Sequence, residues 1–163
     1  MPITAKELRE FLHYDPETGL FTRLKTTSYH AKKGAIVGSS DLYGYKTVRI
    51  ANASYKLHRL AWLYMHGEWP NGDVDHINGN RSDNRFCNLR AVSRQVNLQN
   101  CRKAASHNRS TGVLGVYPAS RGKYSAALSI NNKKKHLGTF NSIEEAHQAY
   151  LKAKRQLHEG CMI

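Results

Sequence analysis

Residues 75–97, DHINGNRSDNRFCNLRAVSRQVN, leave this chain few ways to fold. The stretch begins at the end of a short alternating run, GDVDH, which suits a strand. The turn formers of INGN and RSDN follow, and then a second strand-like run, NLRAV. Ser93 is placed to cap a short helix that carries Asn97. Two strands and a helix folded back on one another bring the end of the first strand beside that helix. The same residues supply a carboxylate, an imidazole and several carboxamides, a donor set that fits one divalent cation.

Oxygen ligands from Asp75 and the Asn97 carboxamide make a hard site. Such a site suits Mg2+ that keeps several waters and takes its remaining ligands from a phosphate, and Mn2+ fits the same oxygens. His76, with an ordinary pKa of about 6.5, is neutral near pH 7 and able to take a proton from water. Adjacent strand residues point to opposite faces, so Asp75 and His76 share a site only where the strand ends or bends. Irregular backbone is therefore expected at residues 75–77. Asn, Asp and Gly in a loop are mostly turn formers, and residue types alone leave a purely structural loop open.

The segment VDHINGNRSDNRFCNLRAVSRQVNLQN resembles the HNH endonucleases, in the branch of phage-encoded and homing nucleases with a ββα-metal fold. The resemblance rests on the Asp-His pair, on an Asn twelve positions after His76 and on another twenty-one positions after it. It implies that Asp75 and Asn97 hold the metal and that His76 is the general base. Asn88 would tie the loop through backbone hydrogen bonds so that His76 is oriented, with Asn84 the second candidate for that task. It implies hydrolysis of DNA phosphodiesters, and one metal site per chain makes nicking the expectation, with double cutting only by a dimer. A DNA-binding regulator with an inactive nuclease fold stays open, as does an RNA-directed module. Some HNH proteins carry a structural zinc on two Cys pairs, an arrangement absent from this sequence.

The charge agrees with a polyanionic partner: 25 Lys and Arg against 12 Asp and Glu give a formal +13. There is no amphipathic basic helix with a wide apolar face and no apolar run near the length of a membrane span. The N-terminal MPITAKELREF lacks the apolar core of a signal peptide. A cytoplasmic protein is expected, in the bacterial host cytoplasm if phage-encoded, with double-stranded DNA as partner, no membrane, and a monomer or weak homodimer. Cys87, Cys101 and Cys161 form no CxxC pair, and their odd number argues against a disulfide framework, so reduced thiols are expected.

Thr4 and Glu7 make a capping box for a helix with Leu8, Phe11 and Leu12 on one stripe. Asp15, Pro16 and Gly19 then turn the chain into a strand, LFTRL, followed by a polar loop over residues 28–40 that carries Lys32 and Lys33. GYKTVRI and SYKLH are two strands about a turn at Asn52. This leader is similar to the one that often precedes an HNH core in phage proteins. Residues 58–66, HRLAWLYMH, are apolar almost all round and predict a buried helix ended by Gly67 and Pro70. His58 and Arg59 stand at its start as second-tier site candidates.

From residue 102 the composition turns small, polar and basic, which places a linker at 102–112. VLGVY, KYSAALSI and KKKHLGTF then predict three short strands, with turns at Arg121-Gly122 and Asn131-Asn132. Ser142 and Glu145 start a helix with Ala146, Ala149, Tyr150, Ala153 and Leu157 at helical spacing. Alternation along the second strand sets Tyr124, Ala126, Leu128 and Ile130 against the helix and turns Ser125, Ala127 and Ser129 outward. GVLGVYPASRGKYSAALSINNKKKHLGTFNSIEEAHQAYLKA resembles the AP2 domain through its GVY, GKY, LGTF and EEA elements. Carried over by position, the DNA-facing residues would be Leu114, Tyr117, Ala119, Arg121, Lys123, Ala127, Ser129, Lys134 and His136. Several of these are Arg or Trp in plant AP2 factors and small or neutral here, so phosphate contacts and shape would dominate over base readout. The fold class expected is α+β. An HNH endonuclease domain over residues 1–101, with a ββα-metal core at about 73–101, precedes the linker, and an AP2-like sheet-plus-helix domain occupies 113–163.

Overall fold

A computed structural model of the chain describes residues 2–101, 104, 110–131, 133–158 and 161. The protein is mixed α/β with small antiparallel sheets, and it divides into two compact units, Met1–Arg94 and Gln95–Ile163. The segment 102–112 expected as a linker follows that division, and most of it lies outside the described residues.

In the first unit α1 (Ala5–Phe11) starts at the expected capping box. The Thr4 hydroxyl accepts from the Glu7 amide and the Glu7 carboxylate accepts from the Thr4 amide. A hairpin of β1 (Leu12–Asp15) and β2 (Leu20–Arg23) follows, with Tyr14 opposite Phe21. Within residues 28–40 the structure departs from a plain loop: β3 (Ile36–Val37) adds to β2, and β4 (Ser39–Ser40) opens a second sheet. Two-residue strands are too short to show a period, and pairing partners from outside the segment define them.

Next come β5 (Lys46–Ile50) and β6 (Ala53–Lys56), joined through Ala51 and Asn52, both at positive φ as a tight hairpin turn requires. Helix α2 (Leu57–His66) ends at Gly67, where φ of 82° closes the helix against the Leu63 carbonyl. Its Leu57, Leu60, Ala61 and Leu63 are buried with Leu8, Leu12, Phe21, Val74 and Leu89 in one apolar cluster. This core sits directly behind β7 (Asp73–His76) and β8 (Leu89–Val92), which pair from Asp73–Val92 through His76–Leu89. The irregular backbone expected at residues 75–77 is confined to its last residue. Pairing is regular through His76, and the turn begins at Ile77, whose amide donates to the Asn88 carbonyl.

The second unit takes in most of α3 (Arg94–Gln99), the sheet of β9 (Val116–Pro118), β10 (Tyr124–Ile130) and β11 (Lys133–Phe140) in the order β11-β10-β9, and α4 (Ile143–Leu157). Val116, Ala126, Leu128, Ala146 and Tyr150 form its core. The alternation expected along β10 fails at one place. A bulge between Ala126 and Ala127 shifts the register, and Ala127 is buried instead of facing outward. Tyr117, Arg121, Lys123, Ser129, Lys134 and His136 are exposed.

Gly19 shows how closely the leader is fitted to the loop after β7. It has φ of 73°, and a Cβ there would stand 2.4 Å from the Arg85 amide nitrogen and 2.5 Å from the Asn84 carbonyl carbon. Gly19→Ala is expected to destabilise the protein by at least about 2 kcal/mol, measured by urea unfolding.

Candidate functional site

The loop between β7 and β8 is held by its own carboxamides and carboxylates. Asn88 Oδ1 accepts from the Asn78 amide at 2.9 Å and Asn88 Nδ2 donates to the Asp83 carbonyl at 2.8 Å. Asn78 Nδ2 donates to Asp83 Oδ2, Asn78 Oδ1 accepts from the Asn80 amide, and Asn80 Oδ1 accepts from the Ser82 amide and hydroxyl. Arg85 closes the set on Asp83, through Nε at 2.9 Å and Nη2 at 2.7 Å, and its hydrogen bonds hold the Asp83 carboxyl low, at about 2. Most of these Asx residues thus act as turn formers.

Asn84 is the exception, because its side chain leaves the loop and meets the imidazole. His76 Nε2 and Asn84 Oδ1 are 3.1 Å apart, and both residues are buried. A carboxamide oxygen can only accept, so this contact favours the tautomer with hydrogen on Nε2 and the lone pair on Nδ1. Asn84 is in turn fixed from the leader: the buried Tyr14 hydroxyl donates to its carbonyl at 2.6 Å, across seventy positions, and Gly19 lies against its backbone. Of the two residues expected to orient His76, Asn88 therefore shapes the loop while Asn84 touches the ring.

His76 lies among other rings. His58, buried at the start of α2, meets it edge-on with centroids 4.9 Å apart, and Tyr45 lies 6.0 Å from His76 and 5.1 Å from His58. Burial pushes both imidazoles toward the neutral form. His58 falls to about 3 by burial and then by the neighbouring His76, Lys56 and Arg59, and His76 is lowered by burial against the opposing pull of the Asn84 hydrogen bond. His58 Nδ1 is buried with no hydrogen-bond partner among the described residues. Arg59, the other second-tier candidate, donates to the Gly72 carbonyl at 3.0 Å and lies over the Trp69 ring, a bracing position at the entry to β7.

Asp75 meets the neighbouring strand instead. Arg90, its partner in the β7–β8 register, donates to Asp75 Oδ2 through Nη2 at 2.8 Å and Nε at 3.1 Å. Asp75 is buried at the end of a strand and supplies hard carboxylate oxygen. Among the described residues no group of three or more His, Cys, Asp or Glu could hold a metal by itself. A lone carboxylate fits an ion such as Mg2+, which completes its shell with water and phosphate. Asn97 stands on α3, in the second unit. The six exposed candidates on or beside the sheet include a cation against a ring, with Lys134 Nζ 3.7 Å from the Tyr117 centroid, and His136, whose Nδ1 lies 3.2 Å from Ser125 Oγ.

Tyr14, Tyr45, Arg90 and Arg81, which donates to the Tyr43 carbonyl at 2.8 Å, escape the sequence reading. Their partners are remote or cross-strand, and neither spacing nor composition signals such contacts. Cys87, Cys101 and Cys161 are free thiols. Among the described residues no helix is long and apolar enough to cross a membrane.

Residues 55–99 match the family model for the HNH endonucleases. They span the helix with His58, both strands, the Asx loop and Asn97, so the likeness to an HNH endonuclease is carried by this segment, and it supports a nuclease. The chain is also similar to a solved structure titled "DNA binding and cleavage by the HNH homing endonuclease I-HmuI", at 19% identity and a TM-score of 0.44, over 98% of this chain and 95% of that one. No curated protein matches it.

His58 carries a pH signature. Its pKa in the folded state, about 3, lies below the ordinary 6.5, so the unfolded chain binds the extra proton first as pH falls. The contribution is fully present above pH 6.5 and is lost as pH drops from there toward 3. Stability in urea is expected to fall by as much as about 1.4 kcal/mol per pH unit in that window on account of this one group. His58→Phe, which keeps a ring in place, should flatten the slope.

Proposed function

We propose that the protein is a metal-dependent DNA endonuclease that nicks one strand per binding event, with His76 as general base, Asp75 and Asn97 as metal ligands, and the sheet of the second unit gripping duplex DNA. The observation that carries the reading is the His76–Asn84 contact inside the HNH segment. It leaves the basic lone pair on Nδ1, and burial keeps the ring neutral near pH 7.

In this reading Nδ1 of His76 takes a proton from water as the water oxygen bonds to phosphorus. The bond from phosphorus to the 3′ oxygen breaks, and the leaving oxygen picks up a proton from solvent. Asn84 keeps the ring aimed through the step and Tyr14 keeps Asn84 in place. Arg90 holds the Asp75 carboxylate in orientation. A bound Mg2+, or Mn2+ on the same oxygens, would polarise the scissile phosphate and stabilise the leaving oxygen.

An AP2-like role for residues 113–163 is supported by the exposure of Tyr117, Arg121, Lys123, Ser129, Lys134 and His136 on or beside one antiparallel sheet, and by the formal +13 of the chain. With few Arg residues available for bidentate base contacts, affinity would come mainly from phosphates and fall steeply with salt. Asn88 acts here by shaping the loop, and His58 and Arg59 by packing the base and bracing its strand.

The test is supercoiled plasmid incubated with wild type and His76→Ala, each with Mg2+ and with EDTA. Nicking is expected from wild type with Mg2+ alone, and the variant should be slower by at least about a hundredfold with duplex binding retained. Binding without cleavage in any divalent ion would contradict the nuclease mechanism and favour a regulator that keeps an inactive nuclease fold.

A further inference from the structure

The tip of the β4–β5 hairpin, residues 41–45, exposes two large apolar side chains and ends at Tyr45, whose ring lies 6.0 Å from the proposed base. Leu42 is 100% exposed and Tyr43 71%. Single exposed apolar residues are ordinary, but this pair is displayed on a closed, hydrogen-bonded turn. Asp41 Oδ1 accepts from the amides of Tyr43 at 2.8 Å and Tyr45 at 2.9 Å. The Asp41 amide donates to the Tyr45 carbonyl, and the Gly44 amide donates to the Asp41 carbonyl. The backbone is thus pinned while the two side chains project.

This tip is also tied to the site. Arg81, from the loop between β7 and β8, donates through Nη1 to the Tyr43 carbonyl at 2.8 Å and lies 4.9 Å over the Tyr45 ring. Lys56 Nζ covers the same ring at 4.0 Å, and that ring is the one next to His76 and His58. Arg81 and Lys56 at Tyr45, with Lys46 next in the chain, put positive charge at the base of this apolar tip. Polyanionic duplex matches that pattern: cations meet phosphates while an apolar side chain enters a groove and parts a base step.

Resting on the reading of the site as a DNA endonuclease, we propose that Leu42 and Tyr43 form a wedge that enters the minor groove beside the scissile phosphate and unstacks the adjacent base step. The bend so produced would turn the strand toward His76. The cost of unstacking is met by contacts that the bent duplex makes with Arg81, Lys46 and Lys56. Because the tip is held to the β7–β8 loop by Arg81, the distance from wedge to base is built into the fold.

The test compares the full chain with the double variant Leu42→Ser/Tyr43→Ser, which alters exposed side chains and leaves every backbone hydrogen bond of the turn available. Leu42→Met serves as the conservative control. Supercoiled plasmid is nicked in Mg2+, and permanganate reactivity of thymines in the same plasmid is mapped with bound protein in EDTA. Wild type and Leu42→Met should give reactive thymines next to the nick. The double variant should lose that reactivity and nick with kcat lower by at least about tenfold, since binding energy no longer distorts the substrate. Its affinity for the plasmid should stay within about threefold of wild type, because phosphate contacts dominate.

Equal nicking and equal thymine reactivity in the double variant would overturn the wedge and leave the nuclease reading standing. Nicking by wild type with no reactive thymines would overturn it as well. If wild type never nicks but tip-dependent reactive thymines appear, the wedge holds and the nuclease mechanism fails.

Discussion

A single hydrogen bond, between His76 Nε2 and Asn84 Oδ1, gives the candidate site its direction. An imidazole can act as a base through either nitrogen, and one that rotates or changes tautomer has no fixed line of attack. Here one nitrogen is occupied by an acceptor, so the lone pair is assigned to the other. Much of the first unit bears on keeping that contact in place. The core formed by α1, the first hairpin and α2 backs the two strands, the Tyr14 hydroxyl holds the Asn84 carbonyl, and Gly19 permits a backbone approach that any side chain would block.

Burial is the second condition and works in the same direction. Putting His58 and His76 edge to face out of water disfavours a proton on either ring, and the cations Lys56 and Arg59 add to this at His58. Asp75 and Asp83 pull His76 the other way and Asp41 pulls His58, but burial outweighs them, while Asp75 also bonds Arg90, and Asp83 bonds Arg85 and Asn78. Base and proposed metal ligand are neighbours in sequence, and the fold sets Asn84 on the one and Arg90 on the other. Positive charge and an exposed apolar tip then lie on the outside of the same assembly, where a duplex would come.

What could be read in the sequence was whatever has a period or a local signature. The capping box at Thr4, the apolar helix ended by Gly67, the two strands around the Asx loop, and the three strands and helix near the C-terminus all have such marks, and all are present. The two-residue strands Ile36–Val37 and Ser39–Ser40 have none. The HNH resemblance pointed to Asn88, whose side chain bonds the Asn78 amide and the Asp83 carbonyl. It ranked Asn84 second for orienting His76, because the path of an Asx-rich loop depends on which side chains bond to which amides, and composition does not determine that. Tyr14 lies seventy positions from Asn84, and Arg81 lies thirty-eight from Tyr43. Contacts of that range are set by packing. The bulge that buries Ala127 is likewise invisible to an alternation rule that assumes an unbroken strand.

The most direct measurement is the tautomer of His76, read from ring 15N shifts in a long-range 1H–15N correlation spectrum of the full chain at pH 7, with and without Asn84→Ala. The expected result is a neutral ring with hydrogen on Nε2 in the wild-type protein, passing to a mixture of tautomers in the variant. A ring protonated on both nitrogens at that pH, a proton on Nδ1, or a spectrum unchanged by Asn84→Ala would contradict the arrangement on which the proposed mechanism depends.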